Sequence, residues 1–232
     1  MKKTGQIWRR PARSRVQVVR RVCEQLEKHY GLPRLGNPKN PVDDLVFIIL
    51  SNKTSPAIAW AIYRRLKRSF PRWDKLLASP ARRVRRILKP AGLSSVKTAQ
   101  LRAALRAIRR DHGGLQLRKP GGRSEAEVEE YLTCLPGVSK KVAKCVMLYT
   151  MGAQVLPVDA HVHRIAKRLG WTSRKRADQC HEELEALVPA RRRYGFHVAA
   201  ILHGRSACRP NRPACTKCCI RSHCMQAKGD RV

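Results

Sequence analysis

The chain has 232 residues, 43% of them hydrophobic, which is enough length and apolar content for one or two folded domains and excludes a disordered polymer. Fifty Lys and Arg against sixteen Asp and Glu leave a formal charge of +34, whose self-repulsion a polyanion would relieve. Nucleic acid is the natural partner on that balance, with an anionic membrane surface or a merely solvated basic surface as the alternatives; the longest clean apolar run, Leu45 to Leu50, is too short to span a bilayer.

Helical periodicity runs through most of the chain and period-two alternation is almost absent, so an all-α architecture of short, numerous helices is predicted. Met1 to Arg21 is dominated by Lys and Arg and has no apolar core of a signal peptide, so the cysteines read as reduced thiols rather than a secreted disulfide framework. The same segment reads as an arm that tracks phosphates. Pro41 opens an apolar segment that runs through Leu50. Thr54-Ser55-Pro56 then reads as a helix start, with Ser55 as cap and Pro56 at the first helical position, and Ala57 to Phe70 repeats apolar residues at helical spacing. Pro71 closes it. Trp73 to Leu88 holds one or two short helices, the second around Ala81 to Leu88, before Pro90-Ala91-Gly92 breaks the pattern. Val96 to Arg110 is amphipathic, with Leu101, Leu105 and Ile108 on one face. A Gly-rich loop, His112 to Arg123, leads to Ser124-Glu125-Ala126-Glu127, which has the form of a capping box for a helix to about Cys134.

Leu135-Pro136-Gly137-Val138-Ser139 joins that helix to a second, Lys140 to about Met151. Pro136 cannot continue a helix and Gly137 takes backbone angles that other residues resist, so the chain turns sharply and aims several unpaired amides at one point. A phosphate fits there, drawn by the positive end of the second helix; an ordinary Leu-Pro-Gly helix stop is the plainer reading of the same residues. Asp159, flanked by Leu156, Pro157 and Val158 and followed by His161 and His163, is either a cap for the next helix or a functional carboxylate, and one side chain can serve both roles.

The tail carries Cys208-x6-Cys215-x2-Cys218-x5-Cys224 in a segment that also holds Arg209, Arg212, Lys217 and Arg221. Four thiolates so grouped satisfy either a tetrahedral zinc ion or a [4Fe-4S] cluster. Only Cys215 and Cys218 form the short knuckle that zinc modules use in pairs, so the spacing leans toward the cluster and leaves zinc open. Cys219 reads as a spare beside Cys218. Cys23, Cys134, Cys145 and Cys180 lie in apolar stretches and read as buried thiols.

Three separated motifs carry a family resemblance: Leu-Pro-Gly-Val-Ser-Lys-Lys-Val-Ala from Leu135 to Ala143, Val158-Asp159-Ala160-His161, and Ile-Leu-His-Gly-Arg from Ile201 to Arg205 just ahead of the cysteines. From about Pro41 to Cys224 the chain resembles the endonuclease III family of helix-hairpin-helix DNA glycosylases. The resemblance implies two lobes with an active site in the cleft between them. One is a six-helix barrel over residues 35–153 that contains the hairpin, and the other is an iron-sulfur cluster lobe built from residues 1–34 and 154–232. It implies a [4Fe-4S] cluster on Cys208, Cys215, Cys218 and Cys224 rather than zinc. It also implies a monomer in the cytoplasm, associated with double-stranded DNA that contains a damaged base or an abasic site, and with no membrane partner. The activity implied is that of a bifunctional DNA N-glycosylase and AP lyase for oxidised pyrimidines, since adenine glycosylases of the superfamily usually lack a lysine where Lys141 stands.

Within the resemblance Lys141 is the nucleophile and Asp159 the catalytic carboxylate. As the N-glycosidic bond breaks the sugar gains oxocarbenium character, which the carboxylate stabilises; the lysine amine attacks the anomeric carbon, leaves a Schiff base, and elimination of the 3′ phosphate nicks the strand. The damaged base must first leave the stack. Leu93 resembles the family's apolar wedge, and Lys53 stands where the family usually carries glutamine. Gly137, Val138, Ser139, His161, Arg209 and Arg212 are the further expected DNA contacts, Ser139 replacing the second glycine of the usual hairpin. The departures at Lys53 and Ser139 keep open a glycosylase of the same fold for alkylated, deaminated or otherwise unusual lesions. A noncatalytic basic DNA-binding protein stapled by zinc is the remaining alternative. Taken by itself, Lys141 is one of fifty basic residues and Leu93 an ordinary loop leucine.

Overall fold

The structure, a computed structural model, describes residues 12–33, 35–117 and 124–229. The part of the basic N-terminal segment before Ala12 and the stretch 118–123 of the Gly-rich loop lie outside the described residues. The protein is all-α, with no strand among the described residues. In chain order the helices are α1 (Ala12–Tyr30), α2 (Pro41–Ser51), α3 (Pro56–Ser69), α4 (Trp73–Ala78), α5 (Ala81–Leu88), α6 (Ser94–His112), α7 (Glu125–Cys134), α8 (Lys140–Val146), α9 (Ala160–Arg168), α10 (His181–Leu187), α11 (Arg193–Ser206) and α12 (Gln226–Gly229). None is long and apolar enough to cross a membrane. The chain divides into two units, residues 36–153 and residues 1–35 with 154–232.

Unit 36–153 is built around α2. Asn40 caps it, accepting from the amides of Val42 at 2.9 Å and Asp43 at 3.2 Å, and Pro41 supplies the preset first turn. Helix α2 packs against α3, α6 and α8, so the run Leu45 to Leu50 is buried on every face, as its lack of a polar stripe requires. Ser55 and Pro56 start α3 as read from the sequence. The guanidinium of Arg102, on α6, is buried and donates to the carbonyls of Leu76, Leu77 and Ser79 at 2.8–2.9 Å, satisfying the open C-terminal end of α4. Leu101, Leu105 and Ile108 face the core from the same helix. The capping box forms: Glu127 accepts from the Ser124 amide at 2.6 Å and its own amide donates back to Ser124 Oγ at 3.3 Å. The helix expected to reach Met151 changes its hydrogen bonding after Val146 and ends as a π-turn over Met147–Met151, closed by Gly152 at φ 71°.

In the other unit α11 packs against both α1 and α9. Val19, Val22 and Leu26 of α1, Val162 and Ile165 of α9 and Phe196 of α11 form its core, with Trp171 stacked on Phe196 at 5.5 Å. Arg192 ties α11's approach to α1 through Glu24 and Glu27. From Ala207 onward the chain runs as 3-10 turns with Ile220 as its main buried apolar side chain. Arginines of α9 hold it: Arg164 donates to the carbonyls of Gly204 and Cys208 at 2.9 Å, and Arg168 to those of Arg209 at 2.8 Å and Pro210 at 3.0 Å. Of the four cysteines expected to be buried, Cys23, Cys145 and Cys180 are, but Cys134 is exposed. It ends α7 on the face turned away from Val128 and Leu132, the buried residues of that helix, so the apolar neighbours in sequence are not its neighbours in space.

Candidate functional site

The hairpin between α7 and α8 is pinned by the burial of Leu135 and Val138 and by a 3.0 Å hydrogen bond from the Val138 amide to the Leu135 carbonyl. Gly137 sits at φ +79°, and a Cβ there would fall 2.6 Å from Cγ of Gln100 on α6. Both the angle and the space demand glycine. Ser139 lies exposed at the N-cap of α8, its hydroxyl 3.5 Å from the Val142 amide, so the serine that replaces the expected glycine takes a capping role.

Three lysines follow. Glu129 of α7 pairs with Lys140 at 3.4 Å and with the buried Lys144 at 3.3 Å. Lys141, half-buried between them, makes no ion pair among the described residues. Its ammonium acts instead on Asp44, a fully buried residue of α2. Burial pushes the Asp44 carboxyl up to about 7, while a 2.7 Å hydrogen bond from Asn37 and the charge of Lys141 pull it back. Its Oδ2 has no hydrogen-bond partner among the described residues. Sequence reasoning missed Asp44, although an acid inside the apolar run from Val42 to Leu50 of an acid-poor chain was a usable signal.

Lys53 and Leu93 lie at the tips of two loops, Lys53 at φ 53° and Leu93 at φ 49°, with Leu93 59% exposed at the N-cap of α6. Left-handed backbone costs about 1–2 kcal/mol at a residue with a side chain, so each conformation needs something that holds it. Lys97 on α6, buried and passed over in the sequence, reaches both loops.

Asp159 is the N-cap of α9. Its Oδ1 accepts from the amides of His161 at 2.9 Å and Val162 at 2.8 Å, which fixes the carboxylate in direction. His161 is half-buried against α11: its Nδ1 lies 3.1 Å from Arg164 Nη2, and a Cβ on Gly204 would fall 2.4 Å from that Nδ1. Burial lowers the His161 pKa, partly offset by the Asp159 charge.

Cys208, Cys215, Cys218 and Cys224 line one small pocket, walled by apolar atoms of Ala207, Pro213 and Ala227; Cys219 is not among its lining residues. Arg168 donates to Cys208 Sγ at 3.1 Å, and His203 Nε2 lies 3.5 Å from Cys218 Sγ. Burial pushes the Cys218 thiol up to about 11, which a bound cationic centre would reverse. Among the described residues no three His, Cys, Asp or Glu side chains are grouped as one metal ion requires. Arg209, Arg212, Lys217 and Arg221 stand exposed in this segment.

A family model described as HhH-GPD superfamily base excision DNA repair protein matches residues 46–190. A candidate DNA glycosylase of Arabidopsis thaliana is 30% identical over 174 residues, which are 73% of this chain and 59% of that one; the chain thus spans less than two thirds of the plant protein's length. Endonuclease III of Thermotoga maritima is 26% identical over 207 residues, 89% of this chain and 92% of its own length. Among solved structures, a non-covalent endonuclease III–DNA complex matches with a TM-score of 0.81 at 22% identity, over 93% of this chain and 97% of that one. A thermostable thymine-DNA glycosylase gives 0.79 at 21%, over 92% and 98%. At such identities the likeness of structures speaks for the fold. The family match covers well over half of the sequence and takes in the hairpin, Lys141 and Asp159: the chain belongs to the HhH-GPD superfamily of base excision DNA repair proteins.

Proposed function

We propose that this base excision repair DNA glycosylase is bifunctional: Lys141 attacks the deoxyribose of an oxidised pyrimidine in duplex DNA, and the same covalent intermediate then nicks the strand. The observation that carries the reading is the unequal treatment of the α8 lysines. Glu129 engages Lys140 and Lys144, which leaves Lys141 as the amine not committed to a carboxylate among the described residues. A nucleophilic amine must be free of such a partner and must shed its proton. Its nitrogen lone pair then forms a bond to C1′ as the C1′–N bond breaks, and the base departs with that electron pair and takes up a proton. The sugar ring then opens: the attached nitrogen loses a proton and forms C1′=N as the C1′–O4′ bond breaks and O4′ takes up a proton, and loss of a C2′ proton from this Schiff base expels the 3′ phosphate. Asp159 stabilises the positive charge that develops on the sugar. Its orientation by two backbone amides at the start of α9 means that it need not reorganise when the charge appears.

The remaining residues divide by task. Gly137, Val138 and Ser139 offer a hairpin for a phosphate, Lys53 and Leu93 fill the space left by the extruded nucleotide, and His161, Arg209 and Arg212 add contacts to the backbone. Cys208, Cys215, Cys218 and Cys224 hold a [4Fe-4S] cluster. Four thiols on the walls of one pocket, with ring or guanidinium nitrogens beside two of the sulfurs, suit that group. When bound, such a group cross-links the tail through four metal–sulfur bonds. An alkylated or deaminated lesion is the second reading, favoured by the cationic side chain at Lys53. A panel of duplexes carrying each lesion class separates the two.

Borohydride reduction on an abasic duplex tests the lysine. A covalent protein–DNA adduct is expected with the natural chain and with Lys140→Ala, and none with Lys141→Ala. Undiminished trapping in Lys141→Ala overturns the assignment.

A further inference from the structure

The loops that carry Lys53 and Leu93 are joined through one buried cation. Lys97, 4% exposed, directs its ammonium at three acceptors: the Leu50 carbonyl at 2.8 Å, the Thr54 hydroxyl at 2.6 Å and the Ala91 carbonyl at 3.3 Å. An ammonium has three protons, and each has a place to go. Leu50 lies in the last turn of α2, where carbonyls lack helical partners and a cation is favoured. Thr54 follows Lys53 in the first loop, and Ala91 stands two residues before Leu93 in the second. The Thr54 hydroxyl also lies 3.0 Å from the Ala91 carbonyl, and the amide of Lys97 donates to the Leu93 carbonyl at 2.9 Å. Among the described residues no carboxylate takes part. The acceptors are all neutral, and they belong to segments whose tips have left-handed backbone.

We infer that Lys97 is a positioning residue that locks the two loops to each other, so that Lys53 and Leu93 enter a DNA duplex as one preset unit. The inference rests on the proposed glycosylase reading for its substrate. It adds that the two side chains act together because a shared ammonium fixes both loop backbones. Neither loop could relax alone: releasing the first strands the Thr54 hydroxyl, releasing the second strands the Ala91 carbonyl, and each loss loosens the ammonium's hold on the other. A methionine at 97 would fill the space and leave every acceptor unpaired. An arginine would keep charge and donors in a wider fork.

The test compares the natural chain with Lys97→Met, Lys97→Arg and Thr54→Val. Two readings are taken: the rate of borohydride-trapped adduct on an abasic site in a duplex and in the same strand alone, and the fluorescence of 2-aminopurine placed opposite the abasic site. A single strand has no stack to fill, so a defect in loop presentation lowers the duplex rate selectively. Lys97→Met and Thr54→Val are expected to lower the duplex-to-single-strand ratio about tenfold and to suppress the 2-aminopurine signal, with Lys97→Arg intermediate. Thr54→Val removes one hydroxyl from a half-buried residue and keeps the question answerable if Lys97→Met does not fold. Equal losses on both substrates, or a ratio unchanged in Thr54→Val, overturn the inference. If the natural chain forms no adduct, the glycosylase reading fails, and 2-aminopurine fluorescence on duplex binding still decides whether the loops are coupled.

Discussion

Unit 36–153 and the tail that follows α11 solve the same problem with different materials. In the unit, a helix buried on every face is ringed by others, and several helices start at a local side-chain cap, as α2, α3 and α7 do at Asn40, Ser55 and Ser124. The tail has little apolar surface to bury. It relies on two arginines that reach forty or more positions along the chain to its carbonyls and on four half-buried thiols. A self-sufficient core and a tail that the proposed cluster would hold together respond to different perturbations, and that difference can be measured.

The largest effect is expected from removing the proposed cluster. Oxidative stripping, or Cys218→Ser, should abolish absorption near 400 nm. It should also drop amide protection in residues 207–225 by a factor of about 10² or more while α2, α3 and α6 stay protected. Equal loss across both regions, read by hydrogen exchange, would dissolve the comparison.

Asp44 is the weak point of the apolar unit. Its folded carboxyl is raised to about 7 from an ordinary value of 3.8, so its contribution to stability is complete below pH 3.8 and is lost as the pH rises through about 7. Asp44→Asn should flatten that slope and leave the variant more stable than the natural chain at pH 8 by about 2 kcal/mol, with little difference at pH 4, as measured by urea melts at the two pH values. A variant equally destabilised at both would show that the burial of Asp44 is compensated elsewhere.

Gly137→Ala comes next. Strain at φ +79° and the contact with Gln100 should cost about 2 kcal/mol in the same melts and weaken DNA binding in a fluorescence titration. The smallest effect belongs to Ser124→Ala, which removes the capping box and should cost about 1 kcal/mol without changing trapping on DNA.

The local devices were legible in the sequence because they act over a few residues. Ser55 with Pro56, Ser124 with Glu127, and Gly137 in its turn each announce a backbone geometry that their own chemistry dictates. Asp159 was legible as an alternative between cap and functional carboxylate, and it is the cap of α9. Asp44 left a signal that was missed, whereas Lys97 and Arg102 were not legible. Their partners include backbone carbonyls far along the chain, and a sequence with fifty basic residues gives no hint that these two, like Lys144, are buried. The exposure of Cys134 and the π-turn after Val146 were missed for the same reason: apolar composition says that a segment packs, but not which side of it does.

The central claim is that one amine, that of Lys141, forms the bond to DNA. Proteolysis of the borohydride-trapped adduct followed by mass spectrometry of the cross-linked peptide reads this directly. The account predicts that the deoxyribose remnant sits on Lys141 alone. A remnant on Lys140, on Lys144 or on the N-terminal amine would contradict it.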